Sequence, residues 1–484
     1  MADAIEGLKP EGVWKSFAEI AKIPRCSKHE AAISKYVMDT ARRLGLEAKA
    51  DAVGNVAVKK AASPGREKAR RVCLQGHLDM VCEKNVDTVH NFSRDPIELV
   101  RRDNYLTARG TTLGADNGIA VATNLAIMAD RSLEHGPLEF LFTVDEETGL
   151  TGANNLQAGF IESRTLINLD SEEEGSLFVG CSGGRDTVGT WALELEDAPS
   201  NTAAVQISIR GLKGGHSGLE IDKGHGNAIK ILNRLLLRLN TLGARLSSIS
   251  SGNKRNAIPR EADALLFIPK KNLEPARATV EQVSAILKSE NAAVDAGLAI
   301  SLTELPGKKK GRVLRKPMQK RLLQTITAVP HGVVKMCADL PELVETSTNL
   351  AIVKTTRKTI EVATSQRSSV ASEIDEIAEV VGTVLEMGGA VASSGQGYPG
   401  WKPDMDSEIL KITRSAYASL FGREPEVKAI HAGLECGIIG EKYPGMDMVS
   451  FGPTLTGVHT PDEKIYIDTV ERFWQLLLEI LKRI

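Results

Sequence analysis

At 484 residues the chain is too long for one simple core, and two domains are expected. With 42% hydrophobic and 25% charged residues it has the balance of a globular protein, and 60 Lys and Arg against 62 Asp and Glu leave no strong field for nucleic acid or a membrane surface. Aromatic residues at 4% argue further against a base-stacking surface.

The N-terminal stretch carries Glu, Lys and Pro where a signal peptide needs an apolar core. No run approaches the roughly 18 apolar residues that span a bilayer. Cys26, Cys73, Cys82, Cys181, Cys337 and Cys436 are scattered without a CxxC pair, so reduced thiols and a cytoplasmic location are expected.

Apolar residues recur at helical spacing through Val13, Phe17, Ile20 and Ala21, then through Ile33, Val37, Ala41 and Leu44. Short apolar runs at 53–58, 72–75, 138–144 and 166–169 read as buried strands, and NGIAVATNLAIM (117–128) as a buried helix. Strands alternating with helices predict an α/β sandwich with a mostly parallel sheet. In such sheets functional loops gather outside the carboxyl ends of the strands.

After GCSGG (180–184) the pattern changes. Residues 202–212 alternate like a half-exposed strand, and 226–239 read as a helix. A second strand–helix pair at 359–366 and 374–387 suggests another sheet and an internal duplication. The basic run 308–316 reads as a solvated loop. Beyond SSGQGYPGW (393–401) the first pattern returns, and 468–484 reads as a closing amphipathic helix. Gly, Ser and Pro enrichment at both junctions predicts an insertion: 1–186 and 397–484 form one domain, 187–396 another.

Five motifs sit where strands run into loops: QGHLDMV (75–81), GADNG (114–118), VDEETG (144–149), NLDSEEEG (168–175) and GVHTPDE (457–463). In the first, His77 and Asp79 share one face of a strand, so Asp79 can orient His77 as a ligand. A lone HxD is more simply a core histidine. Asp116 could be no more than an N-cap, yet a carboxylate there could also bridge two metals. Three consecutive acids, Asp145, Glu146 and Glu147, end the buried strand and are costly unless a cation receives them. Adjacent side chains point apart, so Glu146 and Glu147 can divide the tasks of general base and ligand. Asp170 arrives at the same edge, Glu172–Glu174 read as turn acids, and His459 lies in a Gly- and Pro-marked loop. His29, His90, His135, His225, His331 and His431 have no ligand-like context. Together the motifs supply two metals and a base for metal-assisted hydrolysis, with zinc first and cobalt or manganese also suited to N/O donors.

HLDMVCEKN, GADNG, DEETG, NLDSEEEG, GGHSG, NAIPR and HAGLECG, in that order, resemble the M20 metallopeptidases, and within them the aminoacyl-histidine dipeptidase (peptidase D, Xaa-His dipeptidase) branch. The resemblance covers essentially the whole chain. It implies a zinc-peptidase-like catalytic α/β sandwich with an inserted α+β lid domain, and a homodimer formed through that insertion. Asp116 would bridge two divalent ions, with His77 and Asp170 on one and Glu147 and His459 on the other. Asp79 would orient His77, Glu146 would be the general base, and a cis peptide would follow Asp116. His216 would stabilise the oxyanion, Asn256 and Arg367 would bind the substrate carboxylate, and Glu435 would line the substrate site. The implied reaction is hydrolysis of small peptides, Xaa-His dipeptides of the carnosine type, by a metal-bridging water that Glu146 activates. Alternatives are a tripeptide aminopeptidase, a carboxypeptidase, an N-acyl amino acid deacylase, or a non-catalytic peptide-binding protein.

Overall fold

The computed structural model describes residues 2–308 and 310–484, which form two compact units. The first comprises the chain up to Gly180 with Trp401–Ala429 and Leu434–Ile484, and the second comprises Cys181–Gly400 with Ile430–Gly433. The expected junctions at 186/187 and 396/397 thus move outward to 180/181 and 400/401. The reason is a continuous ladder: strand Gly183–Ala192 pairs with Thr359–Ser368 along its whole length. Ser182 N–H donates to the carbonyls of Ile430 and Ala432, drawing that short return into the second unit.

The first unit is built on eight strands: β1 (Glu47–Ala50), β2 (Val56–Lys60), β3 (Val72–His77), β4 (Leu138–Thr143), β5 (Thr165–Asn168), β6 (Ser176–Cys181), β7 (Glu426–Ile430) and β8 (Asp447–Ser450). Their order is β1-β2-β4-β3-β5-β8-β6-β7. The four central strands β4, β3, β5 and β8 run parallel. The pairings β1–β2, β2–β4 and β8–β6 are antiparallel. Every residue of β3, β4 and β5 is buried, as expected for strands covered on both faces. Even Glu139 in β4 is inside, where its carboxylate accepts the N–H groups of Glu162 and Ser163.

Helix Ala115–Ala129 is apolar almost all round and buried along nearly its whole length. The helical pattern of residues 11–44 resolves into two helices, Glu11–Ile20 and Ala31–Arg43, and the closing helix is Ile467–Arg483. No helix among the described residues is long and apolar enough to cross a membrane.

The second unit carries a nine-stranded sheet whose described pairings are all antiparallel. Helices Ala228–Thr241, Leu273–Asn291, Lys316–Ala328 and Ala371–Met387 close its core, packing Leu232, Leu235, Ala276, Leu322 and Val381 with Ile207, Leu266 and Val362 of the strands. Asn227 caps the first helix by accepting from Ile229 and Lys230 N–H. The expected basic loop 308–316, of which Lys309 lies outside the described residues, contains a strand: Arg312–Leu314 pairs with Leu195–Asp197.

One expectation about cysteine is corrected. Cys26 and Cys82 form a disulfide with a Cα–Cα separation of 5.6 Å, within the usual span. Residues 25–27 lie alongside 79–82 through a parallel bridge between Cys26 and Met80, a proximity that spacing alone does not reveal. The other four cysteines are buried.

Candidate metal centre

Parallel pairing brings the carboxyl ends of β3, β4 and β5 together, with His77 opposite Thr143 and Gln75 opposite Asn168. The residues that follow are therefore delivered to one edge: Asp79 after β3, Glu146 and Glu147 after β4, Asp170 after β5. Asn117 ties this edge to the buried helix, its Oδ1 accepting from His77 N–H (3.1 Å) and its Nδ2 donating to the Leu169 carbonyl (2.9 Å). Gly76 makes room for that contact, since a Cβ there would lie 2.5 Å from Asn117 Oδ1. His459 arrives on the loop between two short paired strands, Leu455–Thr456 and Lys464–Tyr466.

Asp116 does not cap the helix. Gly114 occupies the N-cap, Asp116 and Asn117 have non-helical backbone angles, and the peptide between them is cis. The Asp116 carboxylate has Oδ1 3.1 Å from His77 Nε2 and Oδ2 3.1 Å from His459 Nε2. Asp170 Oδ1 lies 3.4 Å from the same nitrogen of His77, and Glu147 Oε2 lies 2.9 Å from that of His459. Two donor sets result, His77–Asp116–Asp170 and Asp116–Glu147–His459, each with ligand atoms within 4.8 Å of one another and Asp116 common to both.

These donors suit divalent cations. Glu147 Oε1 and Asp170 Oδ1 are buried without hydrogen-bond partners, a costly arrangement unless a cation receives them. The charges point the same way. Burial disfavours a charged His77, yet Asp170, Asp116 and Asp79 hold its pKa well above the usual range. Hydrogen bonds to Asp116 and Glu147 raise His459 to about 11. Burial pushes Asp170 up to about 6 against the opposing pull of His77. Burial also drives Glu146 well above the usual carboxylate range, opposed by His77 and reinforced by Asp170, Glu435 and Glu147.

Asp79 does more than face His77. Its Oδ1 lies 3.2 Å from His77 Nδ1, close but without the alignment of a hydrogen bond. The same oxygen accepts from Glu146 N–H (3.0 Å), and Oδ2 accepts from Glu147 N–H (3.2 Å) and Ser27 Oγ (2.8 Å). One buried carboxylate thus fixes the backbone of both glutamates while lying beside the His77 ring. Burial opposes its ionisation, but His77 and these donors hold its pKa down at about 2.

Two acids differ from expectation. Glu435 begins helix Glu435–Lys442 rather than lying in a loop, and it is 0% exposed, accepting from Gln75 Nε2 and Thr143 Oγ1 at 2.6 Å each. Gln75 in turn accepts from Asn168 Nδ2, making a buried polar chain beneath the donor edge. Burial raises Glu435 to about 7. Of the supposed turn acids, Glu173 pairs with Lys428, and Glu174 with Arg423 and Arg472. Glu172 is half-buried instead, and burial followed by Asp116 and Asp170 lifts it to about 8.

His216, Asn256 and Arg367 all belong to the second unit. Residues 216 and 257 form an isolated bridge, and Ser217 N–H donates to the Asn256 carbonyl. His216 Nδ1 accepts from the N–H groups of Gly218 and Leu219 (3.2 and 3.1 Å), and burial with Arg367 nearby lowers its pKa to about 4. The ring is therefore neutral at pH 7, with its proton on Nε2. Asn256 and Arg367 line a cavity of about 600 Å³. Arg367 is 7% exposed, donates to Tyr398 OH (3.1 Å), and its Nε is buried without a hydrogen-bond partner. His431, read from the sequence as ordinary packing, is buried against Ser347 Oγ (2.7 Å), and burial and Arg367 lower its pKa to about 3.

Two His–carboxylate sets sharing one aspartate at the end of a parallel sheet suit metal-assisted hydrolysis. The chain belongs to peptidase family M20/M25/M40, whose model matches residues 73–483. It is 40% identical over 478 residues to the cytosol non-specific dipeptidase of Escherichia coli K12, covering 99% of this chain and 98% of that protein. The crystal structure of aminoacylhistidine dipeptidase from Vibrio alginolyticus is 40% identical and superposes with a TM-score of 0.92, covering 99% of this chain and 98% of that one. A tripeptidase from Staphylococcus aureus, 17% identical with a TM-score of 0.55 over 98% of both chains, shares the fold.

Proposed function

We propose that this protein is a two-metal dipeptidase acting on Xaa-His and related dipeptides in the cytosol, with zinc as the first candidate metal and a homodimer as the working assembly. The observation that carries the two-metal reading is the split of Asp116, one carboxyl oxygen toward each of His77 and His459. The dipeptide specificity rests on the 40% identity to the two dipeptidases over nearly the whole chain.

His77, Asp116 and Asp170 would hold one ion, and Asp116, Glu147 and His459 the other. When bound, the two ions supply a lowered pKa for the attacking water and positive charge beside the scissile carbonyl. Glu146 takes the proton of that water and delivers it to the leaving nitrogen. Asp79 keeps the Glu146 and Glu147 backbone in register with His77. His216, neutral with its proton on Nε2, donates to the oxyanion as it develops. Arg367, buried with its Nε unpaired, receives the substrate carboxylate as a bidentate clamp, with Asn256 lining the same cavity. Glu435 supports the donor edge from beneath.

A hydrolysis panel tests the specificity. Metal-loaded protein is expected to cleave Xaa-His dipeptides at least about tenfold more efficiently in kcat/KM, roughly 1.4 kcal/mol, than tripeptides or N-acetyl amino acids. Preference for tripeptides or N-acyl substrates would move the assignment to a related amide hydrolase, and no hydrolysis of any of them would leave a peptide-binding protein.

A further inference from the structure

Two buried charged side chains near the centre hydrogen-bond to backbone groups among the described residues. Glu463, 2% exposed, accepts four successive N–H groups: Leu113 (2.7 Å) and Gly114 (2.9 Å) on Oε2, Ala115 (2.7 Å) and Asp116 (3.2 Å) on Oε1. Arg25, 3% exposed, holds the same loop from its carbonyl side, donating to Gly114 O, and also donates to the carbonyls of Leu78 (3.1 Å) and Asp79 (2.9 Å). Gly114 permits this, with φ at 69° and Arg25 Nη2 2.5 Å from where a Cβ would stand.

Neither residue hydrogen-bonds a ligand side chain, yet between them they join the three segments that carry His77, Asp116 and His459. Arg25 links the end of β3, which carries His77 and Asp79, to the loop before Asp116. Glu463 links that loop to the one carrying His459, four residues earlier. That second loop is itself closed by bonds from Glu463 N–H to Thr460 O (3.1 Å) and from Thr107 Oγ1 to Glu463 O (2.7 Å). Burying a carboxylate and a guanidinium is costly unless each is fully hydrogen-bonded, and here the bonds converge on the peptides that set the placement of Asp116.

We propose that Glu463 and Arg25 are positioning residues for the metal centre, Glu463 locking Asp116 and His459 into one frame and Arg25 locking that frame to His77. The inference rests on the two-metal reading above. Outer partners of this kind typically set metal affinity by about 10- to 100-fold.

The test is a metal titration, followed by melting curves of metal-free and metal-loaded protein, on wild type and Glu463→Gln. The Gln side chain keeps the size but turns an NH2 toward two of the N–H groups it replaces. The expected result is an affinity for added Zn2+ weaker by about 10-fold or more, a smaller metal-induced rise in Tm, and kcat that recovers with excess Zn2+ while KM stays within about twofold. An unchanged isotherm, with Tm lowered equally in both forms, overturns the proposal because Glu463 would then be merely structural. If Glu463→Gln does not fold, Arg25→Lys decides by the same comparison. A wild type that binds no Zn2+ in that titration fails the two-metal reading rather than the clasp.

Discussion

Glu146→Gln is expected to lower kcat by about 100- to 10,000-fold, the range for removing a general base, or roughly 3–5 kcal/mol of barrier, while both metal ions stay bound. The reason is positional. Glu146 lies outside the two donor sets that share Asp116, although it groups with His77 and Glu147 in a third, and its backbone is pinned by Asp79 rather than by its own side chain. The substitution keeps the shape of the side chain and the hydrogen bond from its N–H. Steady-state kinetics with elemental analysis on the same sample checks this. Near-normal kcat would remove Glu146 from its role, and loss of metal would recast it as a ligand.

Asp116→Ala should be the most damaging single change. Asp116 is the residue common to the two His–carboxylate sets, with one oxygen toward each histidine. Its loss also strips a carboxylate from both histidines, so their pKa values fall together. Metal content below one ion per chain and no measurable hydrolysis are expected. His77→Ala should be milder, emptying one site first. An Asp116→Ala protein that kept two ions would contradict the shared placement of this carboxylate.

The part of this molecule that was legible in sequence is the part with local signatures. β3, β4 and β5 are apolar runs ending in acids or histidine, so both the strands and their cargo could be read, and the buried helix 117–128 appears as Ala115–Ala129. The antiparallel flanks of the sheet carry no such signature, because strand direction depends on connections rather than composition. Glu463 sat in plain view in the GVHTPDE motif, but four backbone N–H groups as partners leave no pattern in a sequence. Arg25 was invisible for the same reason. Glu172 and Glu174 look alike in an acidic run, and only the positions of Arg423 and Arg472 separate the paired residue from the one beside Asp116. Glu435 shows the converse: a loop-like motif, HAGLECG, conceals a carboxyl at the base of the donor edge.

The central claim is that two divalent ions, held through Asp116, make this chain a peptidase. Calorimetric titration of chelated protein with Zn2+ at several pH values, with dipeptide hydrolysis read on the same samples, tests it most directly. Asp116 and Glu147 hold His459 at about 11, so it must release its second proton to become a ligand, and the raised pKa of His77 acts in the same direction. Binding should therefore saturate at two ions per chain, release protons, strengthen as pH rises from about 5.5 to 8, and bring full activity only with the second ion. Saturation at a single ion, or full hydrolysis by the chelated protein, would contradict the account.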